Sequence, residues 1–212
     1  FFLDHLYQKQ LPHSKMKCQT PAKKESKTWD NYIPTNSRSY LDWYFCDRKS
    51  GDYPLRDVSG QGKVEPHYED GTFNACTSCN QRYLNKAIKN GERYVFFFTK
   101  YVGRDKDLRE KFGKKYCITG YYEISGWKEV TWEVHNEHYN NTGKAVKCED
   151  PHFYSMEDSY EIKIKPDKHG RLNSRYARKH LSVEDTEKIL KHFSGKKNRI
   201  LDYRRETKNL YS

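Results

Sequence analysis

The chain has 212 residues, with 40 lysines and arginines against 29 aspartates and glutamates, and its formal net charge is +11 at pH 7. No run of about 18 apolar residues occurs, so no membrane-spanning helix and no membrane partner is expected. Only 34% of the residues are hydrophobic but 15% are aromatic, so the core must depend on tyrosine and phenylalanine. The positive charge favours nucleic acid as partner, because each neutralised phosphate releases counterions.

The cysteines indicate the redox setting. There are six, at positions 18, 46, 76, 79, 117 and 148, which is too few to hold a chain of this size together by disulfides. Cys117 lies in an apolar segment, which is typical of a buried free thiol. We therefore expect a reducing, cytoplasmic location.

The chain divides by composition into three parts. Residues 1–28 are expected to be a basic N-terminal arm, residues 29–195 the main domain, and residues 196–212 a basic tail that packs only in part. Near the start of the domain, Ser39–Asp47 has apolar residues at every second position, which indicates a strand or a short helix.

The sharpest local pattern begins at the Cys76-x-x-Cys79 pair, which opens an amphipathic helix. Ser78 or Thr77 can cap its start. Its apolar face has four members at helical spacing, Tyr83, Leu84, Ala87 and Ile88. Asn90-Gly91 then ends the helix, because both residues tolerate the left-handed conformation that a C-cap requires.

Two strands are expected after this helix. The run Arg93–Tyr101 is almost continuously apolar, which indicates burial on both faces. Arg104–Lys115 is interpreted as a charged connection, and Lys115–Ile124 as the second strand. Gly120 within that strand predicts a bulge or a close backbone approach.

The last third of the domain predicts two more strands and a helix. Trp127–His135 alternates, with Val130, Trp132 and Val134 expected inward, and Ser159–Pro166 alternates likewise. Ser182–Asp185 has the capping-box pattern of a final helix, which Gly195 ends. Consecutive strands favour antiparallel or mixed pairing, so the expected fold class is α+β, a curved mixed or antiparallel sheet or small barrel with flanking helices.

The order of these elements resembles a known superfamily. A helix ending in Asn-Gly, a Tyr-Val-Phe-Phe-Phe strand and an Ile-Thr-Gly-Tyr-Tyr-Glu-Ile strand resemble the core of PUA-like folds, which include the EVE, ASCH and YTH domains. More closely, Asp30-Asn-Tyr-Ile-Pro34, Asn74-Ala-Cys76, Arg82 and Asn90-Gly91 resemble the nucleotide-modification-associated domains. The chain departs from that pattern at the glycine of the first motif, and it has Glu92 in place of an aspartate.

The resemblance implies a module that binds a nucleobase, modified or flipped, in an aromatic pocket, with DNA favoured over RNA. The residues then expected to stack on the base or read its edge are Trp29, Asp30, Asn31, Tyr32, Asn74, Cys76, Trp127 and Trp132. The residues expected to hold phosphates are Arg82, Lys100, Arg104, Lys106, Lys114 and Lys115.

Two alternatives stay open. One is an enzyme of nucleobase modification with Asp30, Cys76 and Arg82 in its site; no catalytic residue is assigned, since phosphate-loop, zinc-peptidase and hydrolase-elbow motifs are absent from the sequence. The other is a zinc-stabilised interaction protein. Cys76 and Cys79 make half of a zinc site, and no second pair at similar spacing completes it.

Overall fold

A computed structural model describes residues 28–57, 66–74, 78–133, 140–163 and 179–211. These residues form ten strands and four helices. In chain order they are β1 (Asp30–Asn31), β2 (Ser39–Trp43), β3 (Thr72–Asn74), α1 (Ser78–Lys89), β4 (Tyr94–Thr99), α2 (Lys106–Phe112), β5 (Tyr116–Glu123), β6 (Gly126–Glu133), β7 (Asn140–Lys147), β8 (His152–Phe153), β9 (Tyr160–Ile162), β10 (Lys179–Leu181), α3 (Val183–Phe193) and α4 (Ile200–Tyr211).

The strands form two open sheets. The first sheet has the order β1-β6-β7-β3, and all its pairs are antiparallel. The second has the order β10-β2-β4-β5-β8, and β9 also pairs with β5. The expected α+β class is confirmed, with mixed pairing because β2 and β4 are parallel. Among the described strands the small-barrel alternative is not found, because neither sheet closes on itself.

β4 is the centre of the second sheet, and it is buried on both faces as its apolar run predicts. Val95 and Phe97 join one hydrophobic core, while Phe96 and Phe98 join another on the opposite face. The first core also contains buried residues of α1, the first sheet and α4. The second is covered by α3. The second sheet therefore lies between α3 on one side and the first sheet with α1 and α4 on the other.

The ends of α1 and α3 confirm the capping signals. Gly91 has φ = 72° and Gly195 has φ = 78°, both in the left-handed region that favours glycine. At the start of α3 the Ser182 hydroxyl accepts a hydrogen bond from the Asp185 backbone N–H at 3.1 Å. Sequence-local chemistry thus defines where both helices end and where α3 begins.

The Gly120 prediction is also confirmed. Phe97 pairs with Gly120 and Phe98 pairs with Ile118, so the register shifts and Thr119 is the extra residue of a bulge. A side chain at Gly120 would overlap the His152 carbonyl oxygen and the Phe153 ring. β8 therefore approaches β5 at a point where only glycine fits.

Two helices were not expected from the sequence. The charged connection contains α2, whose N-cap Asp105 accepts from the Leu108 N–H at 2.9 Å, and Leu108 and Phe112 are buried. The basic tail contains α4, whose Tyr203 is fully buried and donates its hydroxyl to the Tyr154 carbonyl at 2.7 Å. Residues 196–211 therefore contribute to the same core as the domain before them.

Candidate functional site

Four of the predicted base-binding residues meet at one edge of the first sheet. Trp29 leads into β1, and Asp30 and Asn31 form that strand. β1 pairs with the start of β6, where Asp30 is opposite Trp127. Asp30 and Asn31 are exposed, whereas both indole rings are only partly exposed. The pairing brings together residues that are nearly 100 positions apart in the sequence.

Each of these two tryptophans has a lysine against its ring. The Lys128 Nζ lies 5.0 Å from the centroid of the Trp29 ring. The Lys144 Nζ lies 3.2 Å from the centroid of the Trp127 ring. Both distances are within the range of cation–π attraction. The edge therefore combines aromatic surface with positive charge, the two features that single-stranded nucleic acid requires.

The two tryptophan–lysine pairs lie on opposite faces of the sheet. Residues opposite each other on paired strands share a face, so Trp127 shares its face with Val146, which is buried in the core. Lys128 is next to Trp127 in β6 and therefore lies on the other face with Trp29. We call this group the edge site; its members are Trp29, Asp30, Asn31, Trp127, Lys128 and Lys144.

The edge site contains a partly buried cation, the ammonium group of Lys144. Burial lowers the pKa of Lys144, while Glu129 and Asp30 act in the opposite direction. Glu129 is opposite Lys144 in the β6–β7 pairing. A hydrogen-bonding or anionic ligand reaching this point would therefore meet an ammonium group that water solvates poorly.

The Tyr32 side chain stabilises the fold, and its hydroxyl already has a hydrogen-bond partner. Its hydroxyl donates to the Glu92 carbonyl oxygen at 2.8 Å. Burial, with a contribution from Glu92, raises the pKa of Tyr32 to about 12. This bond ties the chain after β1 to the end of α1.

The remaining base-binding predictions are not at this edge or are not described. Asn74 is in β3, at the opposite edge of the four-stranded sheet. Cys76 lies outside the described residues. For Trp132 and Cys79 the structure describes the backbone, in β6 and α1, and not the side chains.

The predicted phosphate-binding residues are divided between α1 and the region around α2. Arg82 is on the exposed side of α1, which precedes β4. Lys100 follows β4, and Arg104, Lys106, Lys114 and Lys115 are around α2 beyond it. Lys115 moreover pairs with Glu161 at 2.9 Å.

A cleft of about 410 Å³ lies near Arg104. Lys49, Arg104 and Arg205 line it together with Asp52, Asp105 and Glu206, so the charges balance. Arg205 also pairs with Asp202 at 3.0 Å. A neutral cleft of this kind does not favour a polyanion.

Sequence reasoning did not find a buried carboxylate–imidazole pair. Glu92 is fully buried, and its Oε1 lies 2.6 Å from His180 Nδ1, which links β10 to the segment between α1 and β4. Tyr40 and Tyr83 flank the imidazole, with ring centroids 5.8 and 6.5 Å away. Nothing in the sequence around His180 indicates this partner, because the two residues are 88 positions apart and meet only through the β2–β10 pairing.

Lys128 and Lys144 were also missed. The sequence shows that Lys128 follows Trp127 in an alternating segment, but it does not indicate that Lys128 contacts a tryptophan ring. Lys144 lies in a segment with a glycine and few apolar residues, which gave no strand signal. Its contact with Trp127 depends on the register of β6 against β7, and no local pattern specifies that register.

Within the described ranges, no group of three or more His, Cys, Asp or Glu side chains is arranged to hold a metal ion. None of the described helices has the length and apolar character that crossing a membrane requires.

The fold and the edge site together define an α+β protein of two open sheets with an aromatic, lysine-bearing edge. No protein-family model, no curated protein and no solved structure matches this chain.

Proposed function

We propose that this protein binds single-stranded nucleic acid at the edge site, with bases stacking on Trp29 and Trp127. The observation that carries the proposal is the pairing of two partly exposed indole rings with two lysines on neighbouring strands. A nucleobase stacked on an aromatic ring contributes about 1–3 kcal/mol.

The polar members of the edge site have separate roles in this proposal. Lys128 and Lys144 supply positive charge for phosphates, which position the strand without reading its sequence. Asp30 and Asn31 are exposed beside the rings and can hydrogen-bond to base edges. Tyr32 is assigned no contact with a base, because its hydroxyl already donates to the Glu92 carbonyl.

The proposal includes recognition of a modified base, with DNA favoured, as the resemblance implies. The resemblance supports the recognition of a modified base. The edge site supports it too, because the exposed Asp30 and Asn31 side chains lie next to the tryptophan rings. Titrating plain and base-modified oligonucleotides of DNA and RNA against the same protein would rank the four ligands.

The experiment is a fluorescence-anisotropy titration of labelled single-stranded DNA. Trp29→Ala and Trp127→Ala should each raise Kd by about 5- to 150-fold, the equivalent of one lost base stack. Phe45→Ala is the matched control, because Phe45 is an exposed aromatic of the segment after β2, away from the edge site. The proposal is wrong if wild-type protein does not bind, or if the tryptophan variants bind as tightly as the control.

A further inference from the structure

The exposed side of α1 carries a line of positive charge. Arg82, Lys86 and Lys89 are exposed and occur at spacings of four and three residues, so they share one face of the helix. We call these three residues the α1 stripe. The helix sequence, SCNQRYLNKAIK, contains no acidic residue.

The charges of the α1 stripe are not neutralised locally. Some surface cations have carboxylate partners, as in the pairs Arg93–Glu123 at 2.7 Å and Lys115–Glu161 at 2.9 Å, whereas others among the described residues, such as Arg109, have none. Across the described ranges, no member of the stripe makes such a pair. Favourable interaction with the helix dipole explains Lys86 and Lys89, which are in the last turn. It does not explain Arg82, which lies in the middle of the helix.

The stripe and the edge site are connected through two elements. Asp30 of β1 pairs with Trp127, and two residues later Tyr32 donates its hydroxyl to the Glu92 carbonyl beyond the end of α1. α1 also packs against β7, the strand that carries Lys144. Trp127 and Ile88 border the same hydrophobic core. The helix is therefore a direct neighbour of the sheet that bears the tryptophans.

The dimensions of the stripe suit a strand of nucleic acid. Seven residues of helix rise about 10 Å at roughly 1.5 Å each. Stacked nucleotides rise about 3.4 Å each along one strand, so the same length holds about three phosphates. The Arg82 guanidinium lies 5.4 Å from the centroid of the Tyr83 ring, which holds its charge next to an aromatic surface.

We propose that the α1 stripe is the phosphate-binding track of the edge site and contacts about three consecutive phosphates of one strand. This inference rests on the proposed function, because it assigns the backbone contacts of the same ligand. Lys106 and Lys114, which are in and just after α2, are assigned no part in this track.

The test compares salt dependence between two triple variants. Each phosphate contact on a single strand contributes about 0.7 to the slope of log K against log salt. Replacing Arg82, Lys86 and Lys89 by Gln should therefore make the slope shallower by about 2, measured by anisotropy between about 50 and 200 mM salt. Gln has a helix propensity close to that of Lys and Arg, and circular dichroism would verify that α1 remains folded.

The control removes the same charge elsewhere. Arg109, Lys191 and Lys208 are exposed cations on α2, α3 and α4, and their replacement by Gln also lowers the net charge by three. A control slope equal to the wild-type slope, with a shallower slope for the stripe variant, supports the track. If the two triple variants have equal slopes, the phosphate-binding track is wrong, and the proposal of base stacking at the edge site is unaffected. If instead Trp29→Ala and Trp127→Ala bind as tightly as the wild type while the stripe variant still has a shallower slope, the proposed function is wrong.

Discussion

Lys144 holds its ammonium group against the Trp127 ring in a partly buried position, which is costly for a cation unless something compensates. The ring face and the nearby carboxylates of Glu129 and Asp30 provide part of that compensation. The ring and the carboxylates together hold the Lys144 side chain across the β6–β7 pair.

Buried thiols make the stability depend on pH. Burial raises the pKa of both Cys46 and Cys117 from 9.0 to about 11. A thiol whose pKa rises on folding stabilises the protein fully below the unfolded pKa, and this contribution is lost as the pH rises towards the folded pKa. Stability should therefore fall from pH 9 upwards, by at most about 1.4 kcal/mol per pH unit for each thiol.

Urea unfolding at pH 8, 9 and 10 measures this effect, and the buried tyrosines, whose pKa values are also raised by burial, contribute equally in each variant compared. Cys117→Ala should make the fall between pH 9 and 10 shallower. Ile118→Val is the control, because it shortens a buried side chain of the same strand without removing a titrating group. A Cys117→Ala variant with the wild-type pH dependence would show that the thiol does not titrate as its burial requires.

At the scale of elements, the turn between α1 and β4 holds several parts of the fold together. The Gly91 carbonyl accepts from the N–H groups of Thr35 and Asn36 at 3.0 and 3.2 Å. Gly91 itself has φ = 72°, and a Cβ there would overlap Thr35 Oγ1. The segment after β1 therefore closes over this turn and keeps β1 beside α1.

Two glycine substitutions separate backbone strain from this contact. Gly195→Ala, at the end of α3, should cost roughly 1–2 kcal/mol, because φ is positive there but a Cβ would meet nothing within 4 Å. Gly91→Ala should cost roughly a further 1–3 kcal/mol, because the Cβ also displaces Thr35. Chemical denaturation gives both values. Equal costs for the two variants would mean that the segment around Thr35 is not packed on the turn.

The elements that could be predicted from sequence are those whose signals are local. α1 and α3 have periodic apolar faces and capping residues, and β4 and β5 have dense apolar runs. β1, β8 and β10 contain only two or three residues each, which is too short for any period to appear. α2 was interpreted as a loop because charged residues dominate it and only Leu108 and Phe112 are buried.

At the scale of the whole molecule, chain connectivity explains why the sheet arrangement was only partly predicted. Consecutive strands indicated antiparallel pairing, and most pairs are antiparallel. β2 and β4 are parallel because α1 leads into β4 and lies between the two strands in the chain, as a parallel connection requires. The division into two sheets depends on the β3–β7 and β1–β6 pairings, which join segments far apart in sequence.

The same long-range pairings determine the candidate site. Trp29, Asp30, Asn31 and Trp127 were identified from residue type and from the resemblance, and the structure places them together. The lysines that accompany the rings follow from the register of β1, β6 and β7. Net charge alone indicated a polyanionic partner but not which surface would contact it.

Intrinsic tryptophan fluorescence tests the central claim most directly. Single-stranded DNA should quench the emission of wild-type protein and of Trp43→Phe, because Trp43 borders the other hydrophobic core, on the α3 side of the second sheet. Quenching should be largely lost in the Trp29→Phe/Trp127→Phe double variant, whose folding is verified by circular dichroism. Full quenching in that double variant, or its loss in Trp43→Phe, would contradict base stacking at the edge site.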